Sequence, residues 1–331
     1  MNILFLIFII LVALVFDFTN GMHDAANSIS TIVSTRVLSP RQAVVWAAFF
    51  NFLAFLIFST TVAVTIGKGM VDIKAVTATV ILAGLGGAII WNFITWYFGL
   101  PSSSSHALIG AYSGAAIAKS GFGVIIFSGW YKTLLFIVLA PVIGLVLGFM
   151  LKIISTWVLY KQSPVPVHKW SRVFQVFSAA LYSLGHGGND AQKTMGIITS
   201  LLFAGGFIHE FLVPLWVVLS AHAAIGLGTL SGGWRIVKTM GQKITKLTPV
   251  DGVCAETSAA FSIFLATHWG IPVSTTHVIT GAISGVGSAT RLSAVRWGVT
   301  FQIFWAWILT IPVSAILAGV IYSLCRIVGL N

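Results

Sequence analysis

Two short polar motifs, each written twice, are the residues of this chain that could do chemistry. The first reads NGMHDAANS at residues 20–28 and HGGNDAQKT at 186–194, an offset of 166. It places Asn20, Gly21, His23, Asp24 and Asn27 in one apolar stretch, and His186, Gly187, Asn189, Asp190 and Lys193 in another. Ionisable groups at bilayer depth cost at least about 2.5–3.5 kcal/mol each, so their presence needs a reason. Gly21 and Gly187 offer points where a helix can unwind. Carbonyls freed beside Asp24 and Asp190 would then be hard oxygen ligands for Na+ or stations for a proton. The alternative is that each acid pairs with a nearby Lys or His and only holds helices together.

The second motif lies in GLPSSSSHALIGAYSGAAIAK (99–119) and GIPVSTTHVITGAISGVGSAT (270–290), where nine of 21 positions are identical at an offset of 171. Pro101 and Pro272 end one helix and are well placed to open the next. Ser103, Ser104 and Ser105, and likewise Ser274, Thr275 and Thr276, therefore stand at or near a half-helix N-terminus, followed by His106 and His277. Unpaired N–H groups and the helix dipole favour an anion there. Hydroxyls add donors and leave the site neutral, as a releasable oxyanion requires. A lone serine run would read as glue between membrane helices; the repetition favours the anion site. That chemistry reaches an oxyanion and no further.

Three of the differences between the two halves bear on the chemistry. Asn27 corresponds to Lys193, which could replace a bound cation or touch the anion. Ser102 corresponds to Val273, so the half-sites are unequal. Glu256 corresponds to Leu85 and is either a lone carboxylate for proton coupling or a structural acid near Asp251.

The elements that position these motifs must lie in a membrane. Of 331 residues 57% are hydrophobic and 8% charged, whereas a soluble domain carries about a quarter charged. Apolar spans fall at 3–18, 43–67, 75–98, 131–158, 172–184, 211–228, 252–269 and 295–325, with shorter pieces at 24–35, 106–118, 191–204 and 277–289. The expected fold is an all-α integral membrane protein of two inverted-topology repeats with broken or re-entrant helices. Residues 1–160 form the first repeat, 161–171 a short cytoplasmic linker and 172–331 the second repeat. With both termini outside, twelve Lys and Arg lie on the cytoplasmic side and five outside, as positive-inside sorting produces. The net charge of +11 comes from these loops, not from a nucleic-acid-binding arm. The basic segment 231–248 is too polar to span and reads as an interfacial helix or loop. Residues 1–18 read as a retained first span. Two cysteines, Cys254 and Cys325, allow neither a disulfide framework nor a metal quartet.

The paired G-x-[HN]-D-A motifs, the P-x-S-[ST]-[ST]-H pair and GGWRIVKTMGQKITKLTP at 232–249 resemble the PiT family of inorganic phosphate transporters over essentially the whole chain. The resemblance implies phosphate uptake driven by H+ or Na+, in the bacterial branch often as a metal–phosphate complex. It also implies a plasma-membrane (inner-membrane) location and a homodimer, with no further cofactor. It carries over to Asp24, Asn27, Asp190 and Lys193, and to Ser103, Ser104, Ser274, Thr275 and Thr276. The central linker is shorter here than is usual in that family. Competing readings are a symporter of another tetrahedral oxyanion such as sulfate, an anion channel, and an intramembrane enzyme. Duplication of every polar motif speaks against the enzyme, which needs one unique nucleophile or one close carboxylate pair.

Overall fold

The computed structural model describes residues 2–329. The first half contains α1 (Ile3–Ser34), α2 (Pro40–Leu53), α3 (Thr61–Lys68), α4 (Ala78–Phe98), α5 (Ser104–Ser120) and α6 (Phe127–Leu159). The second contains α7 (Pro164–Ala204), α8 (Leu215–Ser231), α9 (Trp234–Lys238, continued by a π-turn at Thr239–Lys243), α10 (Pro249–His268), α11 (Thr275–Thr290) and α12 (Trp297–Ile327). Local signals set several of these boundaries. Ser39 with Gln42 and Thr248 with Asp251 form capping boxes ahead of Pro40 and Pro249.

Five of the helices, α1, α4, α6, α10 and α12, are long and apolar enough to cross a membrane. The pair α2–α3, bent by 85°, and the pair α8–α9, bent by 63°, raise the number among the described residues to seven if each is one span. On α6 and α12, large apolar side chains such as Leu134, Val138, Val142, Trp305, Ile308 and Ile316 point outward. Such a surface suits hydrocarbon.

The halves interlock. On α5, Gly110 and Gly114 lie against the backbone of Ile311 and Ala315 of α12. On α11, Gly281 and Gly285 lie against Pro141 and Leu145 of α6. A side chain at any of the four would strike backbone. Helices α1 and α7 run antiparallel: Thr35 donates to Gln175 near one end (2.9 Å), while Asp24 meets His186 and Asp190 at mid-length.

Four sequence readings are overturned or refined. First, α1 and α7 are unbroken through Gly21 and Gly187. These glycines are not helix breaks: they admit the backbone of Ile225 on α8 and of Asn51 on α2. Second, 43–67 is not one straight span. Third, most of 161–171 is helical, because Pro164 opens α7. Fourth, 233–241 runs alongside α1, with Gly233 at Met22–His23 and Gly241 at Ser30. Its Ile236, Val237 and Met240 are buried, and this apolar face outweighs its lysines.

Candidate functional site

The helix breaks fall at the proline motifs. Helix α4 closes on Gly99 at φ +64°, and α10 closes just before Gly270 at φ +68°, a backbone region that suits glycine. After each break the chain re-enters a helix with a serine cap. Ser103 Oγ accepts from the His106 N–H (3.2 Å) and Ser274 Oγ from the His277 N–H (3.3 Å). These two oxygens serve as N-caps, and their O–H groups stay free to donate.

The next hydroxyls meet the acidic motifs. Ser104 Oγ lies 2.7 Å from Asp24 Oδ2 and 2.5 Å from Asn20 Oδ1, with its single proton shared between the two acceptors. Asp24 Oδ1 lies 2.7 Å from His23 Nδ1 and accepts a long bond from Thr276 Oγ1 (3.5 Å). Asn27 Nδ2 reaches across to Thr276 Oγ1 (2.8 Å) and Thr275 Oγ1 (3.4 Å). From α7, Lys193 Nζ donates to Asp190 Oδ1 (2.6 Å), to the Val273 carbonyl (3.0 Å) and to Ser105 Oγ. Asp24, Asn27, Asp190 and Lys193 are each at most 2% exposed. The structure therefore gathers Asp24, Asn27, Asp190, Lys193, Ser104, Ser105, Thr275 and Thr276 into one buried cluster between two helix N-termini.

Ligand atoms of Asp24, His186 and Asp190 lie within 4.8 Å of one another. Asp190 Oδ2 has no hydrogen bond and sits 3.6 Å from His186 Nε2. Those carboxylates, with the Ser104 and Thr276 hydroxyls beside them, form an oxygen-rich set that fits a small cation. Asn189 supports the site from outside: it bonds Thr267 (2.8 Å), the Ile271 carbonyl and the Val273 N–H (both 3.3 Å), holding the break after α10 in place.

Three residues singled out in the sequence lie elsewhere. The rings of His106 and His277 meet edge to face, with centroids 4.6 Å apart. Trp307 stacks on His277 at 3.8 Å and donates to the Pro101 carbonyl at 3.1 Å, so it ties both breaks to α12. Glu256 is apart from the cluster, held by Thr31 and Ser178 (both 2.5 Å) and Gln175 (3.1 Å). Asp251 is not its partner; it caps α10 and pairs with Lys152 at 2.7 Å.

Sequence reading placed His186 in the acidic motif but gave no role to Tyr182, which donates to the Thr275 carbonyl at 3.2 Å, or to the three donors around Glu256. For those on α7 the signal was helical spacing. Gln175, Ser178, Tyr182, His186, Asn189 and Lys193 follow one another at steps of three or four along α7.

A multi-pass membrane protein that buries acids, a lysine and paired half-helix N-termini in its interior has the build of a transporter. The model of the phosphate transporter family matches residues 20–173 and 162–318. The chain belongs to that family. It is 59% identical over 325 residues to a probable low-affinity inorganic phosphate transporter of Rhizobium meliloti (strain 1021), covering 98% of this chain and 97% of the relative. A protein of the same description from Bacillus subtilis (strain 168) is 46% identical, with 97% of each chain covered. In fold the chain resembles a solved structure described as the sodium-dependent phosphate transporter (TM-score 0.88, 24% identity, 98% of this chain and 99% of that one). These relatives are named as transporters, not enzymes.

Proposed function

We propose that the protein imports inorganic phosphate by symport with a cation, H+ or Na+, through alternating access. One observation carries the reading: hydroxyls from two opposed half-helix N-termini converge with Asp24, Asp190 and Lys193 in a single buried cluster. Phosphate would sit between Ser103–Ser105 and Ser274–Thr276, its charge met by both helix ends and by Lys193. A cation at Asp24 and Asp190 would neutralise the acids and let the loaded form change access.

Antiparallel α1 and α7, and the reciprocal packing of α5 on α12 and of α11 on α6, support inverted repeats at 1–160 and 172–331. The orientation rests on the loop charges read from the sequence, twelve Lys and Arg against five. Lys119 donates to the Ala75 carbonyl, and Val71 bridges Ile125 at one end. At the other, the Arg296 N–H meets the Ile244 carbonyl. The more basic second end is assigned to the cytoplasm, with both chain termini outside, in the inner membrane. Homodimerisation and carriage of phosphate as a metal complex belong to the same reading.

The test is labelled phosphate uptake into proteoliposomes. Uptake should require an inward H+ or Na+ gradient. Conductance without a gradient would indicate a channel, and equal competition by sulfate would widen the substrate to tetrahedral oxyanions.

A further inference from the structure

A buried carboxylate on α1 has no part in the site described above. Asp17 is fully buried, two turns before Asp24, and neither of its oxygens makes a hydrogen bond. Ala13 and Phe16 beside it belong to an apolar core. Asn20 and Thr194 face it, and it feels the charges of Asp190 and Lys193 on α7. Thr194 Oγ1 is also buried without a partner. Helix α4 brings no ionisable group to this region, and His222 of α8 is turned towards Phe55 and bonds its own helix at Val218.

A bare carboxylate in such surroundings costs several kcal/mol unless something neutralises it. A Na+ ion would need a fuller shell of oxygens than Asn20 and Thr194 add to the carboxylate itself. A proton needs only one acceptor, and Thr194 Oγ1 is that acceptor. When a proton joins the Asp17 carboxylate, the new O–H donates to Thr194, and both orphaned groups are satisfied.

Position adds a second argument. Along α1, Asp17 lies opposite Thr194, Asp24 lies opposite His186 and Asp190, and Thr31 lies opposite Gln175 and Ser178 through Glu256. Fourteen residues of helix separate Asp17 from Thr31, about 21 Å. Asp17 and Glu256 thus flank the central cluster from opposite ends. The repeat does not generate this pairing. At the offsets of the two motifs, Glu256 corresponds to Leu85 and Asp17 to Ser183; Thr31, Gln175 and Ser178 correspond to Ile197, Ile9 and Val12. One carboxylate on each side is therefore built independently, from α10 on one side and from α1 on the other.

We propose that Asp17 is a proton-binding residue of the coupling mechanism, taking up H+ on the side of the phosphate site opposite Glu256. This rests on the transport reading above. The experiment uses the full-length protein in proteoliposomes, with a pH dye inside and labelled phosphate outside. It compares wild type, Asp17→Asn and Asp17→Glu, and measures phosphate–phosphate exchange at equal pH in parallel. Asp17→Asn should keep exchange, lose its acceleration by an inward pH gradient and take up one proton fewer per phosphate. Asp17→Glu should restore both. Wild-type proton uptake and gradient dependence in Asp17→Asn would overturn the proposal, and so would loss of exchange in both variants, which marks a packing role. Failure of the wild type to exchange or accumulate phosphate would instead overturn the transport reading itself.

Discussion

Lys193→Asn copies into the second half of the site the residue that the first half has at Asn27. It removes an ammonium that bonds Asp190 Oδ1 at 2.6 Å, the Val273 carbonyl at 3.0 Å and Ser105 Oγ. Breaking a buried ion pair by deleting one partner costs about 3–5 kcal/mol, because the other charge is stranded. Here the stranded group is Asp190, which is fully buried. A cation binding beside it returns about 2.7 kcal/mol at 100 times its Kd and about 4.1 at 1,000 times. The variant should therefore be nearly inactive at low cation and recover only as Na+ or H+ rises by about two to three orders of magnitude above its Kd. Labelled uptake measured across Na+ concentration and pH, with thermal unfolding in detergent to confirm folding, reads this directly. A wild-type rate with unchanged cation dependence would refute the argument. So would a folded variant that no cation concentration restores.

Asp24→Asn and Asp190→Asn should each abolish gradient-driven uptake, because each deletes an acid of the proposed cation set; normal transport in both would remove that assignment. Glu256→Gln leaves the donors Thr31, Ser178 and Gln175 facing an amide that can no longer accept on both sides. It should lower stability by about 1–3 kcal/mol, visible as a lower unfolding temperature in detergent. An unchanged midpoint would show that the three contacts contribute nothing net.

The membrane class, the duplication and the breaks at Pro101 and Pro272 were legible in the sequence because each has a local cause. Proline cannot donate its backbone nitrogen, and Gly99 and Gly270 take the positive φ that closes the helix before it. What Gly21 and Gly187 do was not legible. A glycine inside a helix costs only about 1 kcal/mol relative to alanine, so it does not force an unwinding. Its use depends on which backbone comes close, and Ile225 and Asn51 are more than 130 residues away in the chain. Glu256 shows the same limit: Thr31, Gln175 and Ser178 become its partners only once α1 and α7 lie antiparallel. The composition of 231–248 suggested a surface helix, yet Ile236, Val237, Met240 and Ile244 are buried. Its lysines mask that apolar face in the composition.

Each half of the chain carries one acidic motif and one proline motif, yet the contacts do not stay within halves. Asn27 bonds Thr275 and Thr276 of the second half, and Lys193 bonds Ser105 of the first. The scaffold is exchanged in the same way, with α5 on α12 and α11 on α6, each pair seated by glycines against backbone. A single half therefore lacks both the partner for its proline-motif helix and the donors for its hydroxyls. The join at Lys161–Ser163, by contrast, is exposed and belongs to no helix. Cutting the chain there should leave two fragments that restore phosphate uptake when produced together and show none when produced singly. Co-purification through a tag on one fragment, with uptake measured on the same preparation, tests both parts. If either fragment alone assembled into a transporting pair of identical copies, the differences at Asn27/Lys193 and Leu85/Glu256 would be dispensable, and the unequal half-sites would not be the source of coupling.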